Sequence, residues 1–189
     1  VARIIAGEAG SLTLKVPQGA TRPTSERVRE AIFSALSHRI DLEGAAVLDL
    51  YAGSGALGFE ALSRGATSLI AVDQDRSATT ALKTNQATVQ SALPREVSVS
   101  VRPQSVASFL SSAGSLETVD VVFIDPPYSV PNTEVESLLI TLDLLLSPNV
   151  LIILERSAKD PAPSWPESWE CVAEKTYGDT SVFTLEKSR

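Results

Sequence analysis

An α/β fold built on a Rossmann-like, doubly wound and mostly parallel sheet is predicted from three observations. From Ala45 onward, strand-like and helix-like stretches alternate. The strand-like stretches are short apolar runs, as in Val121-Val122-Phe123-Ile124, the pattern of strands buried on both faces. The final two stretches, Glu170–Tyr177 and Thr180–Leu185, flank Gly178-Asp179, a hairpin signal that gives the sheet an antiparallel edge. A small β-hairpin and a helix precede this unit. The expected organisation is therefore an N-terminal appendage over residues 1–39 and a sheet domain over 40–189.

Arg3–Ala6 reads as a short strand, Gly7-Glu8-Ala9-Gly10 as a turn, and Leu12, Leu14 and Val16 as the buried side of a second strand. Pro17–Pro23 is a loop. Thr24 is an expected N-cap, with Glu26 in the first turn, and Val28, Ala31, Ile32, Ala35 and Leu36 share one helical face. The repeating unit then runs strand Ala46–Tyr51, helix Ala56–Arg64 closed by Gly65, strand Ser68–Asp73 and helix Arg76–Gln90. Strand Val97–Val101, a short helix over Ser105–Ser111 and strand Val119–Ile124 follow. Thr133-Glu134-Val135-Glu136 has the form of a capping box opening an apolar-faced helix through Leu146. Val150–Leu154 is the fifth strand. Trp165 and Trp169 are expected to pack rather than to act.

Composition excludes several classes. The 189 residues are 43% hydrophobic, enough for a sizeable core, yet no apolar run approaches the roughly 20 residues of a membrane span. One cysteine, Cys171, and one histidine, His38, exclude an internal disulfide and a Cys- or His-rich metal centre, so no metal is expected. A cytoplasmic location is expected. The chain opens on Val and contains no Met, so its natural start is expected to differ. The net charge of −7 is unevenly spread. Residues 1–39 hold six basic and three acidic residues, and residues 40–189 hold ten and twenty. A basic front on an acidic body fits a polyanion partner, and it equally fits ordinary solvated charge.

Two motifs carry chemistry. Gly53-Ser54-Gly55-Ala56-Leu57-Gly58 fits G-x-G-x-x-G between a strand and a helix, where bare backbone admits a ligand. Asp73 ends the next strand about twenty residues on, the place of a ribose-binding carboxylate, while Asp75 suits a helix cap. Asp49, just before the loop, would repel a pyrophosphate and attract an ammonium or sulfonium; a hydrogen bond that anchors the loop is the other reading. Asp125-Pro126-Pro127-Tyr128 ends the fourth strand. Two prolines stop the ladder and leave a carboxylate, carbonyls and an aromatic ring in a rigid loop, a set suited to a flat base with an exocyclic amine.

Asp49-Leu50-Tyr51-Ala52-Gly53-Ser54-Gly55 resembles the first motif of class I S-adenosylmethionine-dependent methyltransferases. Asp125-Pro126-Pro127-Tyr128 resembles the [D/N]-P-P-[Y/F] motif of those that methylate amines. Arg3-Ile4-Ile5-Ala6-Gly7 and Thr21-Arg22-Pro23-Thr24-Ser25-Glu26-Arg27-Val28-Arg29-Glu30 resemble the front of the bacterial RsmD family, which methylates a guanine N2 in 16S ribosomal RNA. The resemblance spans essentially the whole chain.

It implies S-adenosylmethionine as cofactor. Asp49, Ala52, Gly53, Ser54 and Gly55 would border its methionine part, Asp73 and Gln74 its ribose, and Ser105 and Val106 its adenine. Relatives often carry Glu at the place of Asp73, and Asp or Asn near Ser105. Asp125 and the Pro126 carbonyl would hold the guanine amine close to the methyl donor, with Pro127 shaping the loop and Tyr128 stacking on the base. Arg3, Lys15, Arg22, Arg27 and Arg29 would grip RNA. The implied partner is 16S ribosomal RNA in the small subunit or an assembly intermediate, acted on by a monomer without a membrane. A DNA adenine-N6 methyltransferase keeps the same site, though no target-recognition domain is evident. A nicotinamide-dependent oxidoreductase leaves Asp-Pro-Pro-Tyr idle, and a non-catalytic RNA-binding ribosome-assembly factor leaves the whole site idle.

Overall fold

A computed structural model describes residues 2–19 and 24–188. Seven strands form one sheet. In chain order they are β3 (Ala46–Leu50), β4 (Ser68–Asp73), β5 (Ser98–Pro103), β6 (Val121–Ile124), β7 (Leu151–Ser157), β8 (Trp169–Tyr177) and β9 (Thr180–Lys187). Their spatial order is β5-β4-β3-β6-β7-β9-β8. The first five pair in parallel, and β9 inserts antiparallel between β7 and β8. The order reverses between β3 and β6, which opens a crevice at the carboxyl ends of those two strands. The doubly wound sheet with an antiparallel edge is thus the predicted one.

Helices cover both faces because successive strand residues point to opposite sides. Val47, Leu69, Val121 and Phe123 face a core shared with α1 (Glu26–Leu36), α2 (Ala56–Ser63) and α3 (Arg76–Ala92). Leu48, Leu50, Val122, Ile124 and Leu154 face the other core, beneath α4 (Val106–Ser112) and α5 (Asn132–Leu145). The front of the chain joins the first core. Phe33 of α1 meets Phe123 of β6 with ring centroids 5.7 Å apart, so α1 is a layer helix of the sheet.

The front hairpin is shorter than its sequence suggests. Its strands are β1 (Ala2–Arg3) and β2 (Thr13–Leu14). The ladder ends because Glu60 of α2, a fully buried carboxylate, accepts the Ile5 and Ala6 amides at 2.6 and 3.1 Å. Gly7 follows at φ +86, and a Cβ there would stand 2.0 Å from the Ser63 carbonyl oxygen. The Ile-Ile-Ala-Gly run is therefore a docking strip for α2.

Two caps differ from expectation. Ser25, not Thr24, caps α1: its hydroxyl accepts the Val28 amide, and the Thr24 hydroxyl turns into the crevice instead. The capping box at Thr133 does not form. Pro131 holds an extended backbone and starts α5 at Asn132, while Glu136 accepts the Ser164 amide. Among the described residues, no helix is long and apolar enough to cross a membrane. No group of three or more His, Cys, Asp or Glu among them could hold a metal ion.

Candidate active site

The crevice is a cleft of about 540 Å³ over the ends of β3, β4, β6 and β7. It brings together both chemical motifs. Ala52, Gly53 and Ser54 line it from the glycine loop, Asp49, Asp73 and Asp125 from the strand ends, and Pro126, Pro127 and Tyr128 from the loop after β6. Gln74 and Val106 complete the predicted set inside it. Gly55 does not face the cleft. It caps α2 at φ +77, and a Cβ there would press on Phe59 and Leu82. Gly53, at φ +58, has open space where a Cβ would stand, so it is the glycine that leaves bare backbone toward a ligand. Ser105 spends its hydroxyl on the cap of α4, accepting the Ser108 amide.

Asp73 shapes the loop. One oxygen accepts the Gly53 amide at 2.8 Å and the other the Asp75 amide at 2.9 Å. Each keeps a lone pair for a ribose hydroxyl. Asp75 caps α3 through the Ala78 amide. Asp49 anchors the loop, its side chain accepting the Gly58 amide at 3.0 Å, and it also lines the cleft while only 2% exposed. Burial pushes its pKa up to about 8, the Gly58 bond opposes this, and the charges of Asp125 and Asp73 add to it.

Asp125 stands at the mouth of β6. Its Oδ2 accepts the Thr24 hydroxyl at 2.7 Å. Burial raises its pKa, against the Thr24 bond and the nearby Arg156 charge. Tyr128 is 54% exposed, with its hydroxyl 3.3 Å from that of Thr180, so its ring is open to a stacking partner. Thr24, Tyr51 and Glu155 are among the residues that line the site without having been predicted for it. Thr24 has the sequence setting of a helix cap. Tyr51 adopts φ +60 on the cleft wall, a conformation sparse for a non-glycine residue. Glu155 of β7 lines the cleft beside Asp125. A signal for it exists, because Leu-Ile-Ile-Leu-Glu repeats the pattern of Val-Val-Phe-Ile-Asp, an acid closing an apolar strand.

The basic residues of the front separate. Arg3, Lys15 and Arg27 are exposed. Arg3 pairs with Glu26 at the surface. Arg29 departs from its expected role as a phosphate contact. It is 1% exposed, donates to the Arg3 carbonyl and lies 3.8 Å from Glu60, so it ties α1 to α2. Arg22 lies outside the described residues.

A family model described as "Conserved hypothetical protein 95" matches residues 2–186. The "Ribosomal RNA small subunit methyltransferase D" of Haemophilus influenzae is 37% identical over 160 residues, which cover 85% of this chain and 80% of that protein. The chain belongs to the small-subunit ribosomal RNA methyltransferase D family. A solved Escherichia coli structure superposes on this methyltransferase with a TM-score of 0.84 at 31% identity, covering 99% of this chain and 98% of the other. The magnesium protoporphyrin IX methyltransferase of Synechocystis, solved with bound S-adenosylmethionine, shares the fold alone. Its TM-score is 0.65 at 16% identity, over 86% of this chain and 79% of that one.

Proposed function

We propose that this methyltransferase uses S-adenosylmethionine to methylate the exocyclic N2 of a guanine in 16S ribosomal RNA of the small subunit. The observation that carries the reading is the meeting of Asp125-Pro126-Pro127-Tyr128 and the Gly53–Asp73 loop in one cleft. The cleft fits the cofactor. Open backbone at Gly53 admits it, Asp73 suits the ribose hydroxyls, and Asp49 offers an acid to its cationic end. When bound, S-adenosylmethionine supplies a methyl group on a sulfonium.

The protein's part is then alignment. The lone pair of a guanine amine is delocalised into the ring, which makes it a poor nucleophile. Asp125 accepts an N–H of that amine, and the ring of Tyr128 stacks on the base. Together they turn the nitrogen toward the methyl group, so that positioning and preorganised charge lower the barrier. A paired target base must first leave its stack, at a cost of a few kcal/mol.

The test is transfer of labelled methyl from S-adenosylmethionine to small ribosomal subunits, naked small-subunit RNA and DNA, followed by digestion to nucleosides. N2-methylguanosine from the RNA is the expected product. N6-methyladenine from DNA, or label in neither polymer, would overturn the reading.

A further inference from the structure

The Thr24 hydroxyl marks a point between two carboxylates. It is 2.7 Å from Oδ2 of Asp125 and 3.4 Å from each oxygen of Glu155. A hydroxyl has one proton, and the short distance gives it to Asp125. Glu155 is thereby left without a close donor of its own among these contacts. It is 4% exposed and lines the cleft. Arg156, the next residue, points to the other face of β7, where it donates to Asn132 and the Val130 carbonyl. An exocyclic amine carries two N–H bonds. An amine that displaced this hydroxyl and took its place would give one to Asp125 and one to Glu155.

We propose that Glu155 is a catalytic residue that accepts the second N–H of the target amine and takes the proton which the nitrogen loses on methylation. The N–C bond forms as the C–S bond breaks, and the S–C electron pair stays on the departing thioether sulfur. The nitrogen becomes a methylammonium. Its N–H bond then breaks, the pair returns to nitrogen, and the proton passes to a Glu155 oxygen. The proposal rests on the amine-methylating reading of the cleft and holds for whichever base presents the amine.

The surroundings suit a proton acceptor. The groups facing Glu155 are Asp125 at the end of β6, Asp49 on β3, Arg29 and Thr24 at the start of α1, and uncharged Val182 opposite it on β9. Burial and the charge of Asp125 raise its pKa well above the usual glutamate range, with Asp49 adding and with Thr24 and Arg29 opposing. An acid raised toward neutrality is a stronger base when ionised.

The test compares wild type, Glu155→Gln and Glu155→Asp in single-turnover methyl transfer to small ribosomal subunits across pH, with a melting curve for each. Glu155→Gln should react roughly 100-fold more slowly, the size of a lost general base. It should also flatten the rise of rate with pH and melt no lower than wild type, because a buried acid that resists ionisation beside Asp125 is gone. Glu155→Asp should recover part of the rate and the pH dependence. A Glu155→Gln rate within a few-fold of wild type, or an unchanged pH profile, overturns the proposal. A lowered melting temperature with an unaltered pH profile overturns it too, by making Glu155 structural. Nucleoside analysis of the wild-type product separately decides the base, and wild type that methylates no nucleobase overturns both readings.

Discussion

Among single residues, Asp49, Asp125 and Glu155 of the cleft stand out because burial makes them resist ionisation. Asp49 is the clearest case, with a pKa raised from 3.8 to about 8 chiefly by burial. Between those two values the folded chain holds a proton that the unfolded chain has released. Stability from this group therefore falls as pH rises through that window. Asp49→Asn should melt higher than wild type at pH 8, and the difference should vanish in acid below the ordinary carboxylate value. A cation bound beside Asp49 favours its charged form, so cofactor binding near neutral pH should release a proton. Calorimetry with S-adenosylmethionine in two buffers of different ionisation enthalpy reads that proton. Wild type should show release and Asp49→Asn none; equal release in both would remove Asp49 from the cofactor site. Asp49 was legible because an acid in an apolar strand before a glycine loop has few explanations. Thr24 was not, since a threonine ahead of a helix reads as a cap and only the fold brings Asp125 to it.

Among the elements, the glycine loop divides its labour. Gly53 faces the cleft, and Gly55 faces Phe59 and Leu82. Gly55→Val would combine a left-handed backbone, costing about 1–2 kcal/mol, with overpacking at about 1–3 kcal/mol. It should lose stability in a denaturant titration, and any loss of cofactor binding would follow from that. Gly53→Ala meets no neighbour, so it should cost only about 1–2 kcal/mol for its backbone. The folded variant should bind S-adenosylhomocysteine more weakly in an isothermal titration. Undiminished binding would place the ligand away from Gly53. The motif's spacing was readable, but it could not assign each glycine, because the atoms that crowd Gly55 come from α2 and α3.

Across the molecule as a whole, the basic front is not one surface. Arg3, Lys15 and Arg27 are exposed, whereas Arg29 is interior cement. Changing the first three to Gln should leave the fold intact. The slope of log affinity for small-subunit RNA against log salt should fall by roughly 2–3, at about 0.7–0.9 for each phosphate no longer neutralised. An unchanged slope in the folded triple variant would show that the front is merely solvated. Arg29→Gln should act differently. Removing one partner of a buried pair costs about 3 kcal/mol or more, so a melting curve should fall while the salt slope of the remaining folded protein stays. Net charge by segment was visible in the sequence; which cations reach solvent was not, because Arg27 and Arg29 differ only in the helical face they occupy.

The alternation of strands and helices, the antiparallel edge and the two motifs of the cleft are all legible in the order of residues. These are local signals, written in apolar runs, glycines and paired prolines that act within a few residues. Whatever depends on distant partners emerged only with the folded chain. Folding ended the front hairpin at Glu60, moved the α1 cap to Ser25, turned Arg29 inward and set Glu155 beside Asp125. A side chain's role follows from the groups that surround it, and in this sheet those groups come from strands and helices far apart in the chain.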